Sequence, residues 1–512
     1  MAVRVPGVSV VETDDGRTLP AVAARAAETF GDRPFLLAVR DGAAHTFASF
    51  DALTDRIGAG LAGVVGPGEH VGMLVPTTGQ GAVAVFAVLK AGAVPVLLPN
   101  QYDGDALATV IRSMLTGTRV IAPARWHHRL PPGLAPLDMD RLPTAPDRPR
   151  WRREPPSPAS LAVVLPTSGT TGAPKGVLSP HGHGVHYAEC TAAMRRLGPE
   201  DGIHGFAPLF HADGLFGNVV GALVTGARLA LSWPPSIAGF WDTCRAARLT
   251  TFAYAGGLIA MLDAPPARGD DAANPVRVAS GAPSPPARAR PFERRFGLHL
   301  TEGYGSTEAG ISLIAPWEGS RVEEASCGRA VCGYDVRLAG DGELLVRPHD
   351  ATFVMLGYLG DRAATARRLP GDGWFHTGDV LAGIGDGHYV FRGRKDDVIR
   401  HRGEFVAPVL VEEAALAHGG VREAAAYGVP AQGGEPGEQE VALAVVARFD
   451  ADQAGVEPAS LTAHLRERLP AVAVPAVIHV LDDLPRSPGS GKVQKHLLPG
   501  AAPVLAAPRE RP

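Results

Sequence analysis

A segment rich in glycine and hydroxyl side chains carries the residue types best suited to binding an anion. It spans residues 165–177, reads LPTSGTTGAPKGV, and contains a single cation, Lys175. Glycines allow several backbone N–H groups to converge on one point, because no Cβ blocks the unusual dihedral angles. Converging N–H groups form a nest for an anion, and the lysine adds positive charge. The segment predicts a phosphate-binding loop, although a glycine-rich surface loop fits these residues alone equally well.

Lysine is scarce in this chain, which makes the position of each lysine informative. Only five of the 49 basic residues are lysines. An ammonium is compact where a guanidinium is planar and forked, so the two are not interchangeable. Lys175 is not part of a Walker A loop, because Pro174 precedes it and Gly176 follows it. Lys492 ends a second glycine-rich stretch, SPGSGK, and is the second candidate for a specific role.

Alternating strands and helices must position these loops. The apolar run LAVVLP at 161–166 predicts a buried strand directly before the phosphate loop. Strands alternate with helices over 45–100, 160–235 and 248–305, which predicts parallel-rich sheets covered on both faces. Short alternating runs with Asp-Gly turns over 325–395 predict a small antiparallel, barrel-like part. The fold class is therefore α/β.

The length of the chain indicates more than one domain. A chain of 512 residues exceeds what one hydrophobic core supports. From residue 396 onward the helices and strands form a self-contained α+β set. We expect a large N-terminal domain over 1–395 and a small, mobile C-terminal domain over 396–512 that carries Lys492.

Composition argues against several other functions. The net charge of −4 and the aromatic content of 6% do not suit a nucleic-acid or anionic membrane partner. The longest apolar zone, 81–99, is broken by Lys90 and Pro95, so it predicts a buried helix and strand rather than a membrane span. The N-terminus lacks the apolar stretch of a signal peptide. Four cysteines without a C-x-x-C pair predict reduced thiols. We expect a cytoplasmic protein without stable membrane insertion.

Six motifs occur in an order that one enzyme superfamily shares. After the loop at 165–177 come Ser280-Gly-Ala-Pro283, Glu302-Gly-Tyr-Gly-Ser-Thr-Glu308, Trp374-Phe-His-Thr-Gly-Asp379, Gly393-Arg-Lys-Asp396 and Pro485-Arg-Ser-Pro-Gly-Ser-Gly-Lys492. In residue types and order these motifs resemble those of the adenylate-forming superfamily, which includes acyl-CoA synthetases, luciferases and nonribosomal adenylation domains. The resemblance covers nearly the whole chain and is strongest to a free-standing acyl-CoA synthetase.

The resemblance implies a two-step reaction. A non-amino carboxylic acid attacks the α-phosphate of ATP, with Mg²⁺ present, to give an acyl-adenylate and pyrophosphate, and CoA then displaces AMP. In the first step a negatively charged carboxylate must approach the negatively charged triphosphate. We therefore expect preorganised hydrogen-bond donors and a metal ion to offset the repulsion between them. Two alternatives stay open: transfer to a carrier protein or another nucleophile, and a non-catalytic nucleotide-binding regulatory subunit. The expected setting is natural product biosynthesis, and the oligomeric state, monomer or homodimer, also stays open.

The resemblance also implies roles for individual residues, all numbered in this chain. The catalytic residues are Lys492, Thr307, Glu308 and His211, and Glu308 also binds Mg²⁺. The ATP-binding residues are Thr167, Ser168, Gly169, Thr170, Thr171, Gly172, Lys175, Gly281, Ala282, Pro283, Gly303, Tyr304, Gly305, Ser306, Asp379 and Arg394. The acid pocket is formed by His211, Ala255, Gly256, Gly257 and Gly303. Asp396 is the hinge between the domains, and Gly403 lies on the thiol side.

The acid pocket departs from that of amino-acid-activating relatives. His211 stands where those relatives carry an aspartate that holds the substrate amine, which favours an acid without an α-amino group. Small residues over 255–257 indicate a roomy pocket. Pro166 and Leu410 also differ from the common family pattern, and Leu410 affects the contacts expected at the thioester stage.

Overall fold

The computed structural model of the protein describes residues 17–38, 44–145, 156–167, 174–232, 236–255, 257–284, 286–315, 317, 324–331, 333–395, 397, 399–401, 404–431, 439–448, 456–486 and 493–501. All structural statements below refer to these residues.

The first two regions alternate helices and strands, as the sequence predicts. Residues 17–145 contain α1 (Leu19–Phe30), β1 (Pro34–Leu37), β2 (His45–Thr46), α2 (Phe47–Leu61), β3 (His70–Met73), α3 (Gly79–Lys90), β4 (Val94–Leu97), α4 (Gly104–Met114), β5 (Arg119–Ala122) and β6 (Ala135–Asp138). Residues 156–315 contain β7 (Leu161–Pro166), β8 (Gly176–Pro180), α5 (His181–Arg195), β9 (Gly202–Gly205), the π-helical segment Asp213–Val220, α6 (Gly221–Thr225), β10 (Arg228–Leu231), α7 (Phe240–Ala247), β11 (Thr251–Ala255), α8 (Leu258–Asp263), β12 (Val278–Ala282), α9 (Pro286–Phe296), β13 (His299–Ser306) and β14 (Gly310–Ile314).

The remaining regions are richer in antiparallel strands. Residues 324–395 contain β15 (Ser326–Ala330), β16 (Tyr334–Leu338), β17 (Glu343–Pro348), β18 (Gly357–Tyr358), α10 (Arg362–Arg368), β19 (Phe375–Gly383) and β20 (Tyr389–Arg394). Residues 397–501 contain β21 (Ile399–His401), β22 (Glu404–Val406), α11 (Pro408–Leu416), β23 (Val421–Pro430), β24 (Gln439–Ala447), α12 (Pro458–Arg466) and β25 (Val477–Leu481).

One sheet has seven strands in the order β18-β8-β7-β4-β3-β5-β6. Strands β7, β4, β3, β5 and β6 are parallel, and β8 runs antiparallel beside β7. The crossover helix α3 is apolar around most of its circumference, and every residue from Gly79 to Lys90 except Gln80 is buried. A helix buried on all sides carries no polar face, which explains why the sequence at 81–99 resembles a membrane segment in composition.

A second sheet has thirteen strands in the order β16-β17-β19-β20-β15-β14-β13-β12-β11-β9-β10-β1-β2. Its centre, from β1 to β13, is parallel, and every strand from β14 to β16 along this order pairs antiparallel with its neighbour. The antiparallel strands predicted over 325–395 are therefore confirmed. They extend the parallel sheet through the β13–β14 hairpin.

The elements after Asp397 have a core of their own. Val411 of α11, Leu443 of β24 and Leu461 of α12 are buried together. Strands β23, β24 and β25 form a three-stranded sheet, and β21 pairs with β22. This small α+β unit matches the expected secondary structure, while its mobility and the boundary at 395/396 stay predictions. Helix α11 also packs beside β20 of the large sheet.

Three of the four cysteines lie in the described chain, and Cys190, Cys244 and Cys327 are buried thiols that form no disulfide bond there. Cys332 lies outside the described residues. Among the residues searched, no helix has both the length and the apolar character needed to cross a bilayer.

Lys90 shows how the buried helix α3 accommodates a charge. Its Nζ lies 2.6 Å from Asp51 Oδ1 and 2.6 Å from Asp55 Oδ1 of α2. It also donates to the backbone carbonyl of Asp51 at 2.9 Å. The side chains of Lys90 and Asp51 are only 6% and 9% exposed. The ammonium is thus fully paired, and this lysine joins α2 to α3.

We expect Lys90→Met to destabilise the fold by about 3–5 kcal/mol, because Asp51 would keep its burial and lose its cation. Chemical denaturation followed by tryptophan fluorescence measures the effect. The matched control is Arg33→Met, which removes an exposed ion pair to Glu200 and should cost less than about 1 kcal/mol. Equal losses in the two variants would contradict a structural role for the buried pair.

Candidate active site

The predicted phosphate loop is the tip of the hairpin between β7 and β8. The strands pair as far as Pro166 and Gly176, and the N–H of Thr167 donates to the carbonyl of Lys175 at 3.0 Å. This bond closes the base of the loop, so both ends leave the sheet side by side. The other predicted ATP-binding residues of the tip lie outside the described chain: Ser168, Gly169, Thr170, Thr171 and Gly172.

A second hairpin, between β13 and β14, carries the predicted metal ligand. Ser306 pairs with Gly310, so Thr307 and Glu308 occupy the turn at the tip. Gly305 permits the close pairing of these strands, because a Cβ at this position would lie 2.4 Å from the carbonyl oxygen of Gly310. The glycine-rich motif at 302–308 is thus explained by the backbone contact as well as by any ligand.

Tyr358 joins the two hairpins. It lies in β18, which pairs with β8, and its hydroxyl donates to Glu308 Oε1 at 2.8 Å. Lys175 Nζ lies 5.3 Å from the centre of the Tyr358 ring, within cation–π range, and 3.0 Å from Asp361 Oδ2. The predicted phosphate cation and the predicted metal ligand therefore converge on one phenol.

Burial and the neighbouring Glu308 carboxylate raise the pKa of Tyr358, so its hydroxyl stays protonated and remains a donor. Sequence analysis did not identify Tyr358 or Asp361 as site residues. The stretch Gly357-Tyr-Leu-Gly-Asp361 lies far from the β13–β14 hairpin along the sequence. Its contact with the site depends on the pairing of β18 with β8, which no local pattern predicts.

The predicted ribose ligand is buried in the large sheet. Asp379 of β19 lies opposite Arg394 of β20, and Arg394 Nε is 3.2 Å from Asp379 Oδ1. The Tyr304 hydroxyl donates to Asp379 Oδ2 at 2.6 Å. Burial raises the pKa of Asp379, and the Arg394 charge opposes that rise. The sheet thus brings together three residues that the sequence assigned to one nucleotide.

The predicted adenine-side loop, Gly281-Ala-Pro283, begins where β12 ends. Gly281 contacts the backbone of β11 so closely that a Cβ would lie 1.8 Å from the Tyr254 carbonyl oxygen. The N–H of Ser284 donates to Glu302 Oε2 at 2.9 Å. Burial, together with the charge of Glu413 on α11, raises the pKa of Glu302 to about 7. A carboxyl group that titrates near neutral pH therefore lies directly behind the loop.

The residues predicted for the acid pocket occupy three elements. His211 is partly exposed and precedes the π-helical segment, with its ring centre 4.6 Å from that of Phe210. Ala255 and Gly257 are exposed at the end of β11. Gly303 faces α5, because a Cβ there would lie 2.9 Å from Met194 Sδ. The grouping of these residues in one acid pocket stays a prediction.

Four further predicted site residues lie outside the described chain: Gly256, Asp396, Gly403 and Lys492. Their roles as acid-pocket residue, hinge, thiol-side residue and catalytic lysine stay predictions. The side chain of Lys495, near Lys492 in sequence, forms an ion pair with Glu412 at 2.6 Å.

The described residues fit a Mg²⁺ site in which one protein carboxylate is completed by substrate phosphates. Among the described residues, no three carboxylate, histidine or cysteine side chains come together to hold a metal ion by themselves. Mg²⁺, however, is commonly bound by one or two carboxylates and completed by substrate phosphates. Glu308 provides one partly exposed carboxylate, oriented by Tyr358 and near Lys175.

Comparison with known proteins assigns the chain to a family. A model of the AMP-binding enzyme family matches residues 23–359, and a model of the AMP-binding enzyme C-terminal domain matches residues 410–492. The chain belongs to the AMP-binding enzyme family. The predicted resemblance to adenylate-forming enzymes is thereby confirmed.

Family members of similar length include several CoA ligases. A sulfoacetate–CoA ligase from Cupriavidus necator is 31% identical over 93% of this chain and 96% of its own. A 3-[(3aS,4S,7aS)-7a-methyl-1,5-dioxo-octahydro-1H-inden-4-yl]propanoyl:CoA ligase from Rhodococcus jostii is 31% identical over 95% and 99%. A feruloyl-CoA synthase from Amycolatopsis is 31% identical over 90% and 95%.

Two solved structures share the fold. The o-succinylbenzoate CoA synthetase from Bacillus subtilis, in complex with ATP and magnesium ion, gives a TM-score of 0.81 at 23% identity, over 93% of this chain and 98% of its own. ATP-bound MatB from Rhodopseudomonas palustris gives 0.82 at 22% identity, over 93% and 97%. The expected α/β fold is confirmed.

We expect Tyr358→Phe to weaken the site by removing the hydrogen bond to Glu308 while keeping the ring beneath Lys175. A hydrogen bond to a charged group predicts a loss of roughly 10–100-fold in kcat/KM for ATP, and a higher Mg²⁺ concentration for half-maximal rate. Titration of Mg²⁺ at fixed ATP measures the second effect. Tyr427→Phe, which removes a hydrogen bond to the Pro499 carbonyl, is the control. An unchanged Mg²⁺ requirement in Tyr358→Phe would show that the contact does not orient Glu308.

Glu302 should make the fold less stable as the pH rises. Its pKa is about 7 in the folded chain against an ordinary 4.5, so the folded state binds a proton that the unfolded state has released. Stability therefore falls between about pH 4.5 and pH 7 and is level above that range.

We expect Glu302→Gln to remove this slope and to stabilise the protein at pH 8 by on the order of 3 kcal/mol. Thermal unfolding from pH 5 to pH 8 measures the difference between wild type and variant. Glu467→Gln, at a mostly exposed side chain, is the control. Parallel pH profiles for wild type and Glu302→Gln would refute the raised pKa.

Proposed function

We propose that this protein is an AMP-forming acid–CoA ligase. It would convert a carboxylic acid and ATP to an acyl-adenylate and pyrophosphate, and then transfer the acyl group to CoA with release of AMP. The observation that carries the proposal is the convergence of Lys175 and Glu308 on Tyr358. A phosphate cation and a metal carboxylate are needed together by a reaction at a polyphosphate, and full-length CoA ligases are among the relatives.

In this proposal the large domain binds ATP. Lys175 and the hairpin tip hold the β- and γ-phosphates, Thr307 contacts the α-phosphate, and Glu308 holds Mg²⁺, which would neutralise phosphate charge. Asp379 accepts hydrogen bonds from the ribose hydroxyls, since one carboxylate has lone pairs for several donors. Its bond from Tyr304 fixes the carboxylate before the nucleotide arrives.

The small domain would contribute the decisive cation. Lys492, delivered from the C-terminal part, bridges the oxygens of the reacting carboxylate and the α-phosphate during adenylation. Domain movement about Asp396 then exchanges this lysine for the strand near Gly403, beside the incoming thiol, with His211 at the junction of acid pocket and thiol path. A positioned cation stabilises the charge that develops in the transition state, and such electrostatic stabilisation commonly lowers the barrier more than any other effect.

The identity of the acid does not transfer from the relatives. Their named acids are a sulfonated two-carbon acid, a fused-ring propanoate and an aromatic propenoate, and these share only the carboxylate. The carboxylate is the reacting group, so the common chemistry is its activation. His211 favours an acid that lacks an α-amino group.

A pyrophosphate-release assay over aryl, alkyl and polycyclic acids, with and without CoA, tests the proposal. We expect release with at least one non-amino acid and CoA-dependent formation of AMP and acyl-CoA. Pyrophosphate release without CoA-dependent AMP would point to a carrier protein or another acceptor. Absence of release with every acid would favour a regulatory nucleotide-binding protein.

We expect Lys492→Ala to slow adenylation by roughly 100-fold or more, on the order of what one transition-state contact supplies. Thiolysis of supplied acyl-adenylate should stay within a few-fold of wild type, because that step follows withdrawal of the lysine. Lys495→Ala, which loses a partly buried ion pair to Glu412, is the neighbouring control. Equal loss of both half-reactions in Lys492→Ala would refute the assigned role.

A further inference from the structure

Asp361 is held in place by contacts other than its ion pair with Lys175. It is the N-cap of α10, and its Oδ1 accepts the N–H of Ala364 at 2.8 Å. Its carbonyl accepts the Thr365 hydroxyl at 2.8 Å, and the oxygen of that hydroxyl accepts the N–H of Tyr358 at 2.9 Å. The helix cap thus fixes the residue, while its second carboxylate oxygen, Oδ2, lies 3.0 Å from Lys175 Nζ.

The backbone that carries Lys175 is fixed beside this helix cap. Strand β18 pairs with β8, and the N–H of Leu359 donates to the carbonyl of Gly176 at 2.8 Å. Lys175 directly precedes Gly176, and Asp361 follows Leu359 by two residues. The strand pairing therefore places the carboxylate beside the ammonium.

The ion pair between Lys175 and Asp361 is charged and lies near the surface. The N–H of Ala364, together with the charges of Lys175 and Arg367, lowers the pKa of Asp361, so its carboxylate is ionised at neutral pH. The side chains of Lys175 and Asp361 are 41% and 37% exposed. Ion pairs between partly exposed side chains are weak. A ligand with several negative charges can therefore compete with Asp361 for the lysine.

The proposed reaction requires Lys175 to bind one polyanion and to release another. The triphosphate of ATP arrives and pyrophosphate leaves, and the same ammonium contacts both. A carboxylate fixed beside the lysine weakens both contacts, because the phosphates meet a cation whose charge is already balanced. When pyrophosphate leaves, the ion pair with Asp361 forms again, so the ammonium is not left without an anion.

We propose that Asp361 competes with the phosphates of ATP and pyrophosphate for Lys175 and thereby promotes the release of pyrophosphate. The inference rests on the proposed function and adds to it a residue that assists product release. The competing explanation is an ion pair that only supports the local structure. The two explanations differ in sign, since loss of a supporting residue weakens ligand binding and loss of a competing anion strengthens it.

The first measurement removes the charge of Asp361 and keeps the helix cap. Asp361→Asn does so, because asparagine is as good an N-cap residue as aspartate. Binding of ATP and of inorganic pyrophosphate, each with Mg²⁺, is measured by titration calorimetry without acid or CoA. We expect both dissociation constants to fall by roughly two- to fivefold, the contribution of one partly exposed ion pair. Asp361→Ser, a second uncharged cap, should give the same tightening.

The matched control is Asp103→Asn. Asp103 is the N-cap of α4 and is paired with Arg129, so this variant also removes the charge of a capping aspartate that has a cationic partner. It should leave the binding of both ligands unchanged. Stopped-flow displacement of pyrophosphate by a fluorescent ATP analogue adds the rate of release. We expect Asp361→Asn to release pyrophosphate more slowly than wild type, by the same factor as the change in its dissociation constant.

A second measurement shows whether the effect passes through Lys175. Lys175→Met alone should weaken the binding of both ligands. In the Lys175→Met background, Asp361→Asn should change the two dissociation constants much less than in wild type, because no cation remains for which the carboxylate competes. Tightening of equal size in this background would show that Asp361 repels phosphate directly, and would overturn the competition for Lys175.

The remaining outcomes are distinct. Unchanged or weaker binding in both Asp361→Asn and Asp361→Ser would overturn the inference and leave the proposed ligase activity intact. Tighter binding with an unchanged rate of pyrophosphate release would overturn the role in product release. Failure of the wild type to bind ATP and pyrophosphate would refute the proposed function, and this inference with it. If Asp361→Asn fails to fold, Asp361→Ser decides.

Discussion

The site depends on one phenol, Tyr358, that contacts both a cation and a carboxylate. Lys175 lies over the face of Tyr358, and the hydroxyl of the same ring holds Glu308. The phenol thereby separates cation from carboxylate and orients both. Asp361 balances the lysine at a distance that leaves the ammonium partly exposed. A polyphosphate and its metal need such a pair of opposite charges, ready before binding, because reorganising charged side chains during the reaction would raise its barrier.

Pairing of a lysine with a carboxylate recurs through the described chain. Each lysine of the described residues has a carboxylate partner: Lys90 with Asp51 and Asp55, Lys175 with Asp361, Lys395 with Asp341 and Glu343, and Lys495 with Glu412. The burial of these pairs differs greatly, and their roles differ accordingly. Lys90 is buried and joins α2 to α3 through its ion pairs. The side chain of Lys175, in contrast, is about two-fifths exposed. Scarcity in the sequence marked all five lysines as special but did not distinguish a structural lysine from a functional one.

Local patterns were sufficient for most of the fold. The alternating segments over 325–395 have the period of two that predicts strands, and the short apolar run at 161–166 is assigned to a strand by its length and the glycine-rich loop that follows it. Long-range pairing was beyond such patterns. The contact of Tyr358 with Glu308 arises because β18 adds to β8. Likewise, Arg195 at the end of α5 donates to Ser280 of β12 and to Asp213 of the π-helical segment. The motifs could predict nucleotide loops because each motif is contiguous in sequence. The side chains that contact these loops come from distant segments, for which no spacing rule exists.

The two predicted nucleotide loops are both hairpin tips with closed bases, and this has an evolutionary consequence. The bond between Thr167 and Lys175 and the pairing of Ser306 with Gly310 isolate each tip from its strands. Residues can be inserted, deleted or exchanged within a tip while the strand register below stays fixed. A lineage can therefore explore new loop chemistry without risking the scaffold, so that diversification of the tips is separated from preservation of the sheets.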